Sequence, residues 1–131
     1  MAVKNKPKTY YVLIAHGSRD EKSNADFMGL VSRFEKKYPK RKACGAFLEL
    51  AKPGIEEALI ACAKSGADEI FILPLMFFLG RHAKKDIPEL IRKVKANYPK
   101  IDFHYASPIA DQSAFLRVLD EQAKKVERRR K

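Results

Sequence analysis

The chain has 131 residues, which is enough for one domain with a single hydrophobic core. Hydrophobic residues make up 46% of it, which excludes wholesale disorder, and the longest apolar run, residues 70–79, is too short to cross a bilayer. The net charge of +11 predicts a surface that attracts polyanions, such as nucleic acid, anionic lipid or a small molecule with many carboxylates.

The cysteines and the terminal segments predict a single cytoplasmic domain. Cys44 and Cys62 lie among apolar neighbours with no CxxC motif, so we expect buried free thiols in a reducing cytoplasm. No signal-peptide pattern opens the sequence. No break in composition divides it, so we expect one domain over residues 1–131, with frayed basic tails at residues 1–8 and about 126–131.

The first half of the chain alternates between strand and helix. The continuous apolar run at residues 9–15 is typical of a strand that is covered on both faces. Apolar residues at helical spacing predict a helix over residues 23–38, with Ser23 opening a capping box. A second strand is predicted at residues 43–50, and the next helix over residues 53–66, between an opening proline and a closing glycine.

The second half repeats this pattern twice. A third strand is predicted at residues 69–75, and helical spacing follows from about residue 87 to residue 98. Residues 101–106 alternate in polarity, as an edge strand does, and the last helix is predicted from about residue 111 to residue 125. Three apolar side chains of this last helix are expected to face inward: Phe115, Leu116 and Leu119.

The order of these elements indicates the fold class. Strands that alternate with helices predict right-handed crossovers and a parallel sheet. The expected fold is therefore α/β, a three-layer, flavodoxin-like domain with a four-stranded parallel sheet. The sequence contains neither a GxGxxG motif nor a Walker loop, so no motif supports nucleotide binding.

Three side chains that can bind metal or exchange protons lie at or just after the ends of three predicted strands. His16 directly follows the first strand, Glu49 closes the second, and His82 lies in the loop after the third. Ligands of open parallel sheets bind at the carboxyl ends of the strands, so we expect the three side chains at one edge. Two imidazoles and a carboxylate suit a borderline divalent cation such as Co²⁺, Ni²⁺, Fe²⁺ or Zn²⁺. The absence of a close HxxxH or cysteine pair argues against a tight structural zinc site and favours a metal that is held loosely and delivered.

Each of these residues also has a purely structural interpretation. A lone histidine after a strand is more often a surface residue, Glu49 fits a solvent-facing position, and His82 fits the polar start of a helix. Ser18, after a glycine, fits a tight turn. Residues 76–79 are either core or the apolar wall of a pocket, and their position favours the wall. His104 is expected to face solvent on the edge strand.

Three segments resemble the signature blocks of the CbiX-type small sirohydrochlorin chelatases. They are LIAHGSRD at residues 13–20 with Asn24 and Phe27 after it, FLELAKPGIEEAL at residues 47–59, and PLMFFLGRHAKKDIPEL at residues 74–90. The blocks follow the family's order and spacing and cover most of the domain. The segment SPIADQSAF departs from the family's pattern because it lacks a glycine and a histidine, which affects the expected pocket floor and dimer contacts.

The resemblance implies insertion of Co²⁺ into sirohydrochlorin in anaerobic cobalamin synthesis, with release of two protons. Insertion of Ni²⁺ or Fe²⁺ is the alternative. It also implies that His16 and His82 ligate the metal and that His16 accepts protons. The residues expected to contact the substrate are Ser18, Arg19, Glu49, Phe77, Phe78, Leu79, Gly80 and Arg81. The metal is then a substrate, and no tightly bound cofactor is expected. Larger members carry two such halves, so a short chain is expected to form a symmetric homodimer.

The residue types fit this chemistry. Metallation exchanges pyrrole N–H protons for a metal ion, and an imidazole takes up protons near neutral pH. The apolar residues 77–79 would pack on the ring and exclude water, and Arg19 and Arg81 would pair with its carboxylates. A metal or tetrapyrrole carrier with the same ligands is the rival interpretation. We expect no nucleic-acid or membrane partner, since a nucleic-acid-binding module is suggested by charge alone.

Overall fold

A parallel sheet forms the middle layer of the protein in a computed structural model that describes residues 6–130. The strands are β1 (Thr9–Ala15), β2 (Lys42–Phe47), β3 (Glu69–Pro74) and β4 (Asp102–Tyr105), and the helices are α1 (Glu21–Lys37), α2 (Ile55–Lys64), α3 (Arg81–Asn97) and α4 (Ala114–Glu127). A short 3₁₀ turn, Ile109–Asp111, precedes α4. The strands are parallel in the order β2-β1-β3-β4, which confirms the predicted α/β fold with its four-stranded parallel sheet.

The side chains of β1 show how the three layers form. Val12 and Ile14 are fully buried and belong to the cluster that α2 and α3 complete, with Ile87 of α3 among its members. Leu13 points to the opposite face, where Phe27 of α1 packs against it. Because β1 is covered on both faces, its sequence reads as a continuous apolar run instead of an alternating one.

Helix α1 begins two residues earlier than its sequence pattern predicts. Asp20 is the N-cap residue, and its carboxylate accepts a hydrogen bond from the Lys22 amide at 3.1 Å. Ser23 lies within the first turn and donates its hydroxyl to the same carboxylate at 3.1 Å. The prediction that Ser23 opens the helix was therefore wrong. Aspartate caps a helix as well as serine does, so residue type alone did not distinguish the two.

Two boundaries next to the predicted site also differ. Strand β2 ends at Phe47 and not at residue 50, because the chain bends there and Leu50 adopts a positive φ of 66°. Glu49 therefore lies in the loop beyond the strand and does not close it. Helix α3 begins at Arg81, well before the predicted residue 87, so His82 lies in the first helical turn and not in a loop.

Helix α4 contradicts the expected inward packing of its apolar residues. Leu116 is 70% exposed and Leu119 is 44% exposed, and none of the residues of this helix is buried. Phe115 is half-buried because its ring packs on Phe77. The helix contacts mainly the 3₁₀ turn that precedes it, and helical spacing alone did not specify the surface that α4 meets.

The basic ends of the chain are more ordered than predicted where the structure describes them. The Lys8 amide donates to the carboxylate of Asp68 at 2.7 Å, and the Lys8 carbonyl accepts from the Asp68 amide at 2.8 Å. Lys8 therefore belongs to the folded domain, and α4 continues to Glu127 within the predicted C-terminal tail. The remaining tail predictions for residues 1–5 and 131 lie outside the described residues. Within residues 6–130, none of the helices has the length and hydropathy needed to span a membrane.

The two cysteines lie side by side as free thiols. Both are free thiols, as expected; Cys62 of α2 is buried as predicted, whereas Cys44 of β2 is only half-buried. The Cys62 thiol hydrogen-bonds to the sulfur of Cys44, which lowers the pKa of Cys44 below its ordinary value. The same hydrogen bond, together with burial, raises the pKa of Cys62.

Candidate functional site

The loops after β1 and β2 are joined through their backbones. The Glu49 amide donates a hydrogen bond to the His16 carbonyl at 3.0 Å. Between them, Gly17 has a φ of +98°, and a Cβ atom added there would lie 1.8 Å from the Glu49 carbonyl oxygen. Only glycine has both the backbone freedom and the small size that this approach requires. The glycine after His16 thus allows the two loops to present their side chains together.

His16 and Glu49 form a loose pair at the surface. Their Nδ1 and Oε1 atoms are 3.6 Å apart, and the side chains are 60% and 56% exposed. Such an exposed pair contributes little to stability, and at this distance the two atoms do not form a hydrogen bond. A carboxylate beside Nδ1 favours the tautomer with a proton on Nδ1, which leaves the Nε2 lone pair for a metal ion.

The third predicted ligand reaches the same place from α3. Gly80 is the N-cap residue of α3, and His82 follows in its first turn. A cavity of about 650 Å³ lies between this turn and the loops after β1 and β2. It is lined by His16, Leu48, Glu49, Leu75, Met76, Phe78, Gly80, Arg81, His82, Ala83 and Asp86. Six of the predicted site residues therefore share one cavity at the carboxyl edge of the sheet.

The other four predicted site residues lie outside the lining of this cavity. Ser18 holds the turn before α1: its amide donates to the Asn24 side chain at 3.0 Å, and its hydroxyl accepts from the Asp20 amide at 3.0 Å. Arg19 is exposed in the same turn. Leu79 packs against the core cluster between the sheet and helices α2 and α3.

Phe77 also points elsewhere. Its ring lies 5.4 Å from the ring of Phe115, centroid to centroid, and its side chain is still 60% exposed. Phe78 is the phenylalanine that lines the cavity, and it is 79% exposed. The predicted apolar wall is therefore divided among three directions: Phe78 faces the cavity, Phe77 faces α4, and Leu79 faces the core.

Asp86 is a cavity residue that the sequence reasoning did not include in the site. It lies four residues after His82 on α3, and residues at this spacing share one face of a helix. The spacing could have identified it. It was missed because the predicted helix began after Asp86, which left His82 and Asp86 in an assumed loop.

The donor groups of this cavity do not form a closed metal site by themselves. Within the described part of the chain, no three side chains of His, Cys, Asp or Glu come close enough to hold a metal ion together. An open arrangement of this kind suits a metal that must leave again. A larger, shallower depression of about 820 Å³ over α2 is lined by Glu56 and Glu57 but by neither histidine nor cysteine.

Comparison with known proteins identifies the family. The model of the CbiX family matches residues 10–126 of the chain. The chain belongs to the CbiX family. The resemblance inferred from the three sequence blocks is thereby confirmed.

Two relatives of this chain differ in length and in the metal for which they are named. A sirohydrochlorin ferrochelatase from Priestia megaterium is 36% identical over 110 residues, which are 82% of this chain and 41% of that protein. A sirohydrochlorin cobaltochelatase from Sulfolobus acidocaldarius is 30% identical over 114 residues, which are 87% of this chain and 89% of that protein. The chain thus spans less than half of the longer relative and nearly all of the shorter one.

Similar solved structures also include one longer chain and one chain of about the length of this protein. SirB from Bacillus subtilis with Fe³⁺ superposes with a TM-score of 0.80 at 30% identity, over 91% of this chain and 47% of that chain. A CbiX protein of cobalamin biosynthesis from Marinobacter aquaeolei VT8 superposes with a TM-score of 0.77 at 26% identity, over 92% of this chain and 98% of that chain. The CbiX fold of this chain therefore corresponds to one half of the longer structure.

Proposed function

We propose that this chain is a sirohydrochlorin chelatase that inserts Co²⁺ into sirohydrochlorin with release of the two pyrrole protons that the metal displaces. The observation that carries the proposal is one cavity lined by two imidazoles and a carboxylate, His16, His82 and Glu49. Family membership supports a chelatase, because relatives of both lengths are named sirohydrochlorin chelatases. Both substrates, the metal ion and the tetrapyrrole, would meet in this cavity.

The metal would be presented by His16 and His82. Neutral imidazole is a good ligand for Co²⁺, Ni²⁺ and Fe²⁺, and two such ligands hold the ion less firmly than thiolates would. Transfer of the metal ion from these two ligands to the four ring nitrogens is then favourable in free energy. Asp86 lines the same cavity, and its negative charge attracts a cation to it.

His16 is the proposed proton acceptor. Its partner Glu49 lies 3.6 Å from Nδ1, so a proton taken up at Nε2 creates an imidazolium next to a carboxylate, which stabilises that charge. Both side chains are more than half exposed, which gives the protons a route to bulk water. The order of events is metal presentation, ring nitrogen attack on the metal, and proton uptake by His16.

Carboxylates of the substrate would be bound at the start of α3. Arg81 lines the cavity there, and its guanidinium can pair with a carboxylate through two hydrogen bonds. The first turn of α3 contains no acidic residue and has no side-chain cap, so its amide groups also favour an anion. Phe78 provides an exposed aromatic ring next to this turn for contact with the macrocycle.

Spectroscopy of the purified chain tests the proposal. Sirohydrochlorin with Co²⁺ should change its visible spectrum faster with the protein than without it, over many turnovers per chain. We expect His16→Ala to lower the rate by about 100-fold or more, the usual contribution of a general base. Binding of one equivalent without turnover would instead identify a carrier, and a fully active His16→Ala variant would remove His16 from the mechanism.

Arg81 has a matched control on the same helix. Arg81→Ala should raise KM for sirohydrochlorin, because carboxylate binding is lost, whereas Arg92→Ala should leave KM unchanged, since Arg92 is exposed and does not line the cavity. Equal KM values for the two variants would contradict the role given to Arg81.

Iron is the second candidate metal. The ferrochelatase of Priestia megaterium has the higher identity, whereas the cobaltochelatase of Sulfolobus acidocaldarius has a length similar to that of this chain. We give more weight to the cobaltochelatase, because the match covers 89% of that protein and only 41% of the ferrochelatase. Anaerobic insertion rates for Co²⁺, Ni²⁺ and Fe²⁺, measured side by side, decide the metal, and a faster rate with Fe²⁺ would reassign it.

We further propose a symmetric homodimer that acts in the cytoplasm. The structural comparison supports the dimer, because the fold described here matches 47% of SirB from Bacillus subtilis, and a second copy of it would correspond to the rest. A second copy would supply the opposite wall of the cavity. The two free thiols fit a reducing compartment.

A further inference from the structure

The two cysteines of the chain face each other between β2 and α2. At Gly45, the residue after Cys44, a side chain would point toward α1, since a Cβ atom there would lie 3.0 Å from the Phe27 ring. Side chains alternate along a strand, so Cys44 points to the other face, where it packs against the core cluster that contains Cys62. The sequence has two cysteines in all, and the fold brings both thiols to one place.

An open cavity of about 670 Å³ lies over this cysteine pair. Both thiols line it, and it shares none of its lining residues with the cavity that contains His16 and His82. Its lining also includes exposed charged side chains of both signs, Glu35, Lys42 and Glu57. Charges of both signs suit a zwitterionic ligand, such as an amino acid or a short peptide. The cavity therefore gives small zwitterions a way to the two sulfur atoms.

The two thiols differ in reactivity. The hydrogen bond from Cys62 lowers the pKa of Cys44 and outweighs the opposing effect of burial. Cys44 is also the half-buried member of the pair, so its thiolate is both present and accessible. The hydrogen bond to Cys44, together with burial and the charge of the neighbouring sulfur, raises the pKa of Cys62. Cys62 therefore keeps its proton as long as Cys44 is a thiolate.

We propose that the cysteine pair is a thiol–disulfide exchange site for small zwitterionic disulfides, in which Cys44 attacks and Cys62 resolves. The Cys44 thiolate attacks one sulfur of the small disulfide, whose S–S bond breaks, and half of the molecule leaves as a thiolate. Cys62 then attacks the Cys44 sulfur, and its proton passes to the second half as that half leaves. Two cysteine sulfurs are oxidised to one disulfide, while one small disulfide is reduced to two thiols.

Loss of charge at Cys44 makes the second step possible. Once Cys44 is bonded to half of the small disulfide, Cys62 no longer faces a thiolate, so the main cause of its raised pKa is removed. Its own thiolate then forms more readily and lies next to the sulfur that it must attack. The first step thus activates the thiol that performs the second.

The new bond would join β2 to α2, the two elements that flank the loop carrying Glu49. Where small thiols are in excess the pair stays reduced, and an excess of small disulfides shifts it to the bonded form. The state of the pair would then follow the ratio of small disulfides to thiols around the protein. Neither cysteine takes part in the proposed metal insertion, so this inference does not rest on the chelatase reaction.

Mass spectrometry of the full chain in buffers of reduced and oxidised glutathione tests the exchange. At a large excess of oxidised glutathione we expect the folded chain to lose two hydrogen atoms and retain no glutathione, with Cys44 and Cys62 in one linked peptide. The ratio of this disulfide to the mixed disulfide should be at least about tenfold higher in the folded chain than in urea, because folding raises the effective concentration of one thiol at the other. An equal ratio in urea, or a folded chain that stays reduced or keeps glutathione, would overturn the proposal.

Two serine variants separate the roles of the cysteines, and circular dichroism checks that both are folded. Cys62→Ser should accumulate one glutathione on Cys44, since the resolving thiol is absent while the serine hydroxyl can still donate a hydrogen bond to the Cys44 thiolate. Cys44→Ser should take up glutathione at least about tenfold more slowly, because the remaining thiol is buried. Equal uptake by the two variants would contradict the assignment of Cys44 as the attacking thiol. The comparison of the unmodified chain with and without urea needs neither variant.

Discussion

Replacing Gly17 by alanine should disrupt the site without touching any of its donor groups. The new Cβ would lie 1.8 Å from the Glu49 carbonyl oxygen, whereas real Cβ contacts essentially never fall below 3.0 Å, so the two loops must separate by at least about 1.2 Å. The hydrogen bond between the His16 carbonyl and the Glu49 amide, 3.0 Å long, cannot survive that movement unchanged. Its loss costs about 1 kcal/mol, and alanine at a φ of +98° adds roughly 1–2 kcal/mol.

The expected result for Gly17→Ala is a loss of about 2–3 kcal/mol in the free energy of unfolding and a fall in Tm on the order of 10 °C. A displacement of about 1 Å at a catalytic group costs roughly 100-fold in rate, so kcat for metal insertion should fall by that factor at a temperature where the variant is folded. Urea denaturation and the spectral assay measure the two effects separately.

Gly29→Ala is the matched control. Gly29 is exposed within α1, and a Cβ there meets nothing within 4 Å, so alanine should stabilise the chain by about 0.5–1 kcal/mol and leave kcat unchanged. If Gly17→Ala retained full stability and full activity, the backbone contact between the two loops could not be what positions His16 and Glu49.

Three further predictions concern other parts of the domain. Cys62→Ala removes the thiol that lowers the pKa of Cys44, so the thiolate fraction of Cys44 and its alkylation rate near pH 8 should fall; an unchanged rate speaks against the hydrogen bond. Leu50→Asn should raise the free energy of unfolding by up to about 1 kcal/mol, because asparagine tolerates the φ of 66° and Leu50 is 56% exposed; destabilisation in urea contradicts this. Ile87→Ala should cost about 2–5 kcal/mol in the same assay, since Ile87 is fully buried, and a cost under 1 kcal/mol would be inconsistent with its packing.

The helix boundaries show how much of the site could be predicted. His16 and Glu49 were expected at the carboxyl edge because His16 follows the first predicted strand and Glu49 was placed at the end of the second, and parallel strands end at one edge. Asp86 was not expected there, because the predicted start of α3 lay beyond it. Helix ends depend on caps and on local turns, which a pattern of apolar residues does not record.

The direction of individual side chains was less predictable than their location. Phe77, Phe78 and Leu79 are consecutive and apolar, so composition gave no reason to separate them. In the structure Phe78 lines the cavity, Phe77 meets Phe115, and Leu79 joins the core. Their partners lie far along the chain, and only the folded arrangement assigns each side chain to its neighbour.

The order of strands and helices, the parallel sheet and the edge at which the donor residues gather were determined by the sequence alone. These features follow from local periodicity and from the right-handed connection between successive strands, both of which can be read along the chain. The contact between Gly17 and Glu49, the membership of Asp86 in the cavity and the outward course of α4 were decided by the tertiary structure. They depend on packing between segments that are distant in sequence, and such packing forms only when the whole sheet is assembled.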